Sequence, residues 1–397
     1  MAVSKRRLLD QIELNDHEKK NLQILDTIRK KGPIARAEIS RLIGLNIVTV
    51  TSYVDQYIKK GVIREVGIDV SSGGRKPTLV DLNPAAIFLI GVGVNASTVV
   101  AILCNLKGEI VLSIKKERPA PAPEVLVHAL VSLVRELMES SQVDISKVHG
   151  IGIGVPGIFN WDLGSARLSG SELQGRTPLS IHGVFEREFG LPTFVDNDSN
   201  ATVFGEEWYG KGLGVQHAIY LYSANRCGFM INGQIYRGAN GCAGEWLFEE
   251  ESDTASPKWG TLDLGIALRA CSSQKEQASS KIYHLVQNEA KKISLATVAK
   301  AAEMGDEFAI MILKEAGAQL GKKTAFLVNL FNPEVVVVGG GIENAGTHFF
   351  DSLRDTVKQH SMREATEKLR ILPSLLGENG VPLGAAALVA QNYFISA

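Results

Sequence analysis

The sequence predicts an α/β protein in which an N-terminal winged helix-turn-helix precedes two larger α/β lobes. Three observations predict it. Helical periodicity over residues 17–60 gives way to two β-prone runs joined through a glycine-rich tip. After Asn83-Pro84 the texture changes to short apolar runs alternating with helical stretches, the pattern of α/β domains. Charge is also divided: residues 1–80 carry 15 Lys+Arg against 9 Asp+Glu, and the 42 against 43 of the whole chain leave 27 against 34 for the remainder. A basic head on an acidic body predicts that the head alone meets a polyanion, although chance clustering of solvated charge would give the same count. The expected boundaries are 1–82 for the head, 83–205 for the first lobe and 206–397 for the second, with the C-terminal helix packing back on the first lobe.

A chain of 397 residues with 45% hydrophobic content can bury more than one core. No apolar run approaches the roughly 20 uncharged residues of a membrane span, and the first twenty residues lack the apolar stretch of a signal peptide. The expectation is a cytoplasmic protein with no membrane partner. Cys104, Cys227, Cys242 and Cys271 have neither C-x-x-C spacing nor the density of a disulfide scaffold, so reduced thiols are expected.

In the head, Leu22, Ile24, Leu25 and Ile28 recur at helical spacing until Gly32-Pro33 stops the pattern. A second helix is expected over Arg36–Ile43, ending at Gly44-Leu45, and a third from Ile47 to Lys60. The short glycine-containing turn between them fits a helix-turn-helix. In the third helix Val50, Val54 and Ile58 form one stripe, while Asn46, Thr49, Thr51, Ser52, Tyr53 and Gln56 lie largely outside it. Short polar side chains of this kind reach base edges and phosphates in a major groove. The runs Val62–Val66 and Thr78–Leu82 then form a wing, with Arg75 and Lys76 at a tip that places cations on the backbone or in a narrow minor groove. A plain solvated hairpin is the alternative for the wing. Double-stranded DNA is the expected partner.

In the body, Ile87–Val94, Val99–Leu103, Ile110–Ile114 and Val148–Val155 read as strands, with a helix over Glu124–Ser140. A second set comprises Ala218–Leu221, Gly228–Ile231, helices across 261–330 and Val335–Val338. Paired α/β lobes commonly enclose a ligand cleft. Three clusters carry its chemistry: Gly152-Ile-Gly-Val-Pro-Gly157, Val195-Asp-Asn-Asp-Ser-Asn200 and Gly241-Cys-Ala-Gly-Glu245. Carboxylates and amides beside glycines suit a polyhydroxy ligand, and each cluster alone also suits an ordinary turn.

These residues resemble the ROK family of sugar kinases and repressors over nearly the whole chain. The resemblance rests on Gly73-Gly-Arg-Lys-Pro-Thr78, the loop ending at Gly157, Asn197-Asp198-Ser-Asn200, Ile231-Asn-Gly233, Ala243-Gly-Glu245, Gly339-Gly-Gly341 and Gly384-Ala-Ala386. It implies an actin-like, ribonuclease H-like two-lobed sugar-kinase fold, assembly as a homodimer or homotetramer, and in the repressor branch a sugar or sugar-derived effector. Gly157, Asn197, Asp198 and Glu245 are the ligand-binding residues it implies. Asp198 matches the family's general base; capping of the following helix is its structural alternative.

The kinase pattern itself fails. Where family kinases have Asp-x-Gly-x-Thr, this chain reads Gly93-Val-Asn95-Ala-Ser97, with no carboxylate for the metal-nucleotide. The second phosphate loop corresponds to Tyr222-Ser-Ala-Asn-Arg-Cys-Gly228, where Tyr222 and Arg226 place bulk in a loop that needs glycine backbone. Phosphoryl transfer depends on positioning and charge stabilisation, so no catalytic residue is assigned. The family's zinc cluster also has no counterpart, since Glu245 is followed by Trp246-Leu-Phe248 and an acidic run without cysteine, and Phe248 cannot ligate a metal. No cofactor or metal is expected. The sequence-based expectation is a DNA-binding regulator, most simply a repressor of carbohydrate-utilisation genes. The alternatives are a sugar kinase with an auxiliary DNA-binding head and an effector-independent DNA-binding protein.

Overall fold

Asn15 starts the first helix through reciprocal capping. Its side chain accepts from the Glu18 backbone N–H at 3.0 Å, and Glu18 Oε2 accepts from the Asn15 N–H at 2.8 Å, which satisfies two donors that a helix start leaves open. The computed structural model describes residues 14–68, 77–95, 98–119, 123–160, 165–168, 180–210, 214–222, 226–239, 241–244, 262–272 and 280–397. By contacts the chain forms two units, Met1–Gly212 with Val381–Ala397, and Leu213–Gly380.

The head is part of the first unit. α1 (Asp16–Lys31) buries Asn21, Ile24, Leu25 and Ile28. β1 (Ile34–Ala35), α2 (Arg36–Ile43) and α3 (Ile47–Lys59) follow, and β2 (Ile63–Ile68) and β3 (Thr78–Leu82) complete an antiparallel sheet in the order β1-β3-β2. α2 ends at Gly44 with φ +70°, a left-handed cap that glycine adopts without strain. This is the winged helix-turn-helix that the sequence predicts. One inward position differs, because Tyr57 rather than Ile58 joins Val50 and Val54 in the buried stripe of α3. The reason is polar: Tyr57 Oη donates to Asn21 Oδ1 at 2.6 Å, so the phenol is satisfied where a hydropathy pattern favours isoleucine.

The first α/β sheet comprises β4 (Phe88–Val94), β5 (Thr98–Asn105), β6 (Ile110–Glu117), β7 (Val148–Val155) and β10 (Thr193–Asn197). Its order is β10-β7-β4-β5-β6. β4, β7 and β10 are parallel neighbours, and β5 and β6 extend the sheet as antiparallel strands. α4 (Pro123–Ser140) and α5 (Ile181–Phe189) cover one face. There Leu130, Val134, Leu137 and Phe185 pack with Ile90, Val92, Ile151 and Ile153. A small hairpin, β8 (Gly157–Asn160) with β9 (Ser165–Leu168), leaves the end of β7, and α6 (Asp198–Tyr209) leaves the end of β10.

The second unit repeats the scheme. β11 (Ala218–Tyr222), β12 (Arg226–Ile231) and β13 (Gln234–Ile235) form a meander. α7 (Leu262–Ser272), α8 (Lys281–Leu285), α9 (Leu295–Glu303) and α10 (Glu307–Phe331) lead into β14 (Val335–Gly339), α11 (Thr347–His360), α12 (Arg363–Thr366) and β15 (Arg370–Pro373). The sheet order is β13-β12-β11-β14-β15, with β11, β14 and β15 parallel. Its core joins Ile219, Leu221, Val336 and Val338 to Ile312, Leu320 and Phe349. Among the described residues no helix is long and apolar enough to cross a membrane.

The chain ends in α13 (Gly380–Ser396), whose residues from Val381 onward belong to the first unit. Residues Val381 through Ala390 of this helix are all buried, so the helix is apolar on every side. Glycines set its distance from its neighbours, two of them most tightly. A Cβ at Gly384 would lie 1.7 Å from the Ala201 carbonyl oxygen of α6, and one at Gly152 would lie 1.9 Å from the Ala385 carbonyl oxygen. Both obstacles are backbone and cannot rotate away. Gly384→Ala is therefore expected to destabilise the protein by about 1–3 kcal/mol or more, as overpacking does. Urea unfolding tests this as a lowered midpoint, and an unchanged midpoint would contradict the packing described.

Candidate functional site

The parallel strands β7 and β10 end side by side, with Val155 in register with Asn197. Beyond these ends the chain turns through Pro156 into Gly157 on one side and into α6 on the other. The carboxyl ends of adjacent parallel strands are where open α/β sheets receive ligands. Asn197 is the N-cap of α6 and accepts from the backbone N–H of Ser199 at 2.9 Å and of Asn200 at 3.4 Å. Asp198 opens the helix, fully buried, with Oδ1 accepting from the Ser199 N–H at 2.8 Å. Capping thus falls chiefly to Asn197.

Asp196 and Asn200 stand in the same cluster, and the sequence named them within it without assigning either to the ligand. Asp196 is buried and accepts from the Asn197 N–H at 2.8 Å and from Asn200 Nδ2 at 3.3 Å. Burial pushes its carboxyl up to about 7, and the neighbouring Asp198 acts in the same sense, while the two hydrogen bonds oppose them. Asn200 is itself buried, and its Oδ1 has no hydrogen-bond partner among the described residues. A buried acceptor without a donor is costly, and an incoming hydroxyl would relieve it. Alternation along a strand end gives no hint of either feature.

Gly157, Asn197 and Asp198 therefore come together at the ends of β7 and β10. Gly157 begins β8, opposite Leu168 of β9. Glu245, Arg75 and Lys76 lie outside the described residues, as does the stretch 246–253 that follows Glu245. Tyr222 and Arg226 face each other at the end of the β11–β12 hairpin, the guanidinium 5.7 Å from the ring centre.

On α3 the sequence-derived residues separate into different settings. Asn46 caps the helix, accepting from the Val48 N–H at 2.8 Å. Ser52 and Gln56 are exposed, and Thr49 and Thr51 are half-buried. Tyr53 is half-buried too, with its ring centre 5.3 Å from that of His17 and 6.3 Å from that of Tyr57. Asp55 is held by Arg36 at 2.9 Å.

The head is clasped to the end of α6. Arg29 of α1 is only 5% exposed and pairs with Asp26 at 2.6 Å. It also donates to the Trp208 carbonyl and lies 4.3 Å over the Trp208 ring. A cation at the carbonyl end of a helix meets the negative end of its dipole. Lys30 pairs with Glu207 at 3.0 Å. Three further contacts join head and body: Asn21 Nδ2 donates to the Ile395 carbonyl of α13 at 3.1 Å, Lys107 pairs with Asp81 at 2.5 Å, and Lys60 donates to the carbonyl of Ala397. None of these long-range pairs leaves a local pattern in the sequence.

A winged helix-turn-helix built onto a sugar-kinase-like fold defines a class of DNA-binding transcriptional regulators. Residues 89–392 match the ROK family and residues 18–64 match a winged helix-turn-helix DNA-binding domain, and the chain belongs to the ROK family. It is 30% identical over 382 residues to the "Xylose repressor" of Caldicellulosiruptor bescii, covering 94% of this chain and 95% of that protein. It is 25% identical over 370 residues to the "DNA-binding transcriptional dual regulator NagC" of Escherichia coli, covering 92% and 90%. A crystal structure of a ROK family transcriptional regulator, described as a homologue of the E. coli Mlc protein, superposes with a TM-score of 0.72 at 22% identity, covering 96% and 97% of the two chains. The actin-like fold and the DNA-binding head that the sequence implied are thus borne out.

Asp196 makes stability depend on pH. Its folded value lies near 7 against an ordinary 3.8, so the fold favours the protonated carboxyl. That contribution is complete below about pH 4 and is lost as pH rises through about 7. Between pH 4 and 8 the parent should lose on the order of 4 kcal/mol relative to Asp196→Asn. Urea titrations of both proteins across this range measure it, and parallel pH profiles would refute the shift.

Proposed function

We propose that the chain is a sugar-responsive repressor of carbohydrate-utilisation genes whose kinase-like lobes bind an effector without phosphorylating it. One observation carries the reading: α6 has Asn197 and Asp198 at its first turn and Trp208, clasped by Arg29 of the head, in its last. Twelve residues of helix span about 18 Å, so a displacement at the ligand end reaches α1 directly. An effector alters operator affinity only through its differential affinity for the DNA-competent and incompetent states. Closure of the site around a sugar that engages Asp198 supplies that difference. The likeness to a xylose repressor over nearly the full length favours an aldopentose, with xylose as the first compound to test. A homodimer or homotetramer would place two heads on one operator.

Absence of phosphoryl transfer is supported by the groups at the former phosphate positions. Gly93-Val-Asn95 supplies no carboxylate, and Tyr222 with Arg226 brings side-chain bulk in place of glycine backbone. A coupled assay with ATP and xylose is expected to yield no sugar-dependent ADP. Sustained turnover would favour a kinase with a DNA-binding head.

The response itself is tested by fluorescence anisotropy on an operator duplex with and without xylose. Xylose at 100 times its Kd should stabilise the parent against heat by about 2.7 kcal/mol and weaken its operator binding. Asp198→Ala should bind the operator normally but lose both effects. Arg29→Gln should retain the thermal stabilisation while its operator affinity becomes indifferent to xylose. An Arg29→Gln protein that responds like the parent would remove α6 from the route, and no stabilisation of the parent by xylose or other monosaccharides would leave an effector-independent DNA-binding protein.

A further inference from the structure

We propose that Val48 is a base-reading residue that recognises the C5-methyl group of a thymine. Among the described residues no large apolar side chain is more exposed than Val48, at 73%. Its place on α3 accounts for the exposure. At 100° per residue, Val48 lies about 150° around the helix from the stripe of Val50, Val54 and Tyr57 that packs into the head. It shares its outward face with the exposed residues Ser52, Gln56 and Lys59.

The first turn offers little else to a base edge. The Asn46 side chain is engaged in capping, and Thr49 is half-buried. What projects from the start of the reading helix is the pair of Val48 methyl groups, flanked by Ile47 at 42% exposure. In the major groove the only apolar feature is the thymine methyl, whereas cytosine has only a hydrogen at C5 and presents, where thymine has its O4 acceptor, an N4 donor that valine cannot accept. An apolar side chain standing in water on a face that meets DNA therefore matches thymine and disfavours cytosine. The inference rests on the assignment of α3 as the helix that enters the groove.

The probe is the tightest-binding duplex selected by the full-length protein from a random DNA pool. Each thymine in it is replaced singly by deoxyuridine, which removes the methyl and leaves the pairing edge unchanged. For the parent, one thymine in each half-site should weaken binding by about fourfold on replacement, the equivalent of one buried methylene. Val48→Ala should bind the unmodified duplex about as weakly as the parent binds the uracil form, and should be insensitive to uracil at that position. Alanine is a stronger helix former than valine, so the variant is expected to fold. A second selection with Val48→Ser should relax the preference for thymine there.

The proposal is overturned if there is no thymine whose methyl matters, or if parent and Val48→Ala are equally sensitive to deoxyuridine. Weaker binding of Val48→Ala that is uniform across the uracil series and accompanied by a changed sedimentation coefficient would also overturn it, and would assign Val48 to contacts between copies of the chain. If the parent enriches no duplex, the DNA-reading assignment of α3 fails first and the proposal falls with it.

Discussion

Helix α13 can lie against α6 only because Gly384 has no Cβ, since any side chain there would collide with the Ala201 carbonyl. The same helix approaches the sheet at Gly152 with comparable closeness. Interiors packed at this density transmit displacement rather than absorb it. Trp208 shows the consequence at the far end of α6, where its ring lies 5.3 Å from that of Phe204 and 5.4 Å from that of Phe394 of α13. The polar cluster at the start of α6 and the clasp at its end therefore sit on one closely packed element.

The clasp extends that continuity into the DNA-binding head. A guanidinium removed from water is costly unless its charge and donors are met. Arg29 meets Asp26, the Trp208 carbonyl and the Trp208 ring, and this set of partners exists only when α1 lies at the end of α6. Asn21 works alongside it, accepting from Tyr57 within the head and donating to Ile395 of the body. The head is thereby held at a defined place against α6 and α13. That placement gives the proposed effector a mechanical route to the operator.

The sequence carried the local structure well and the long-range structure poorly. Periodicity located α2 over Arg36–Ile43 and β7 over Val148–Val155 with the bounds the structure has, because each buries a face of regular spacing. The choice between Tyr57 and Ile58 escaped it, since the deciding hydrogen bond reaches Asn21, 36 positions away. Asn197 and Asp198 were legible through their motif, yet the burial of Asp196 was not, because a carboxylate at a strand end ordinarily reads as solvated. Arg29, Lys30, Glu207 and Trp208 were invisible for a related reason. Charged residues on α1 look like an exposed face until the partner helix is known.

In the proposed mechanism, ligand contact at the start of α6 is felt in the head through its end. Hydrogen exchange on the full-length chain, with and without saturating xylose, tests this most directly. Amide protection is expected to change together in α6 and in Ile24–Ile28 of α1, the segment buried beside the clasp. Protection that rises in α6 while α1 exchanges at an unchanged rate would contradict it.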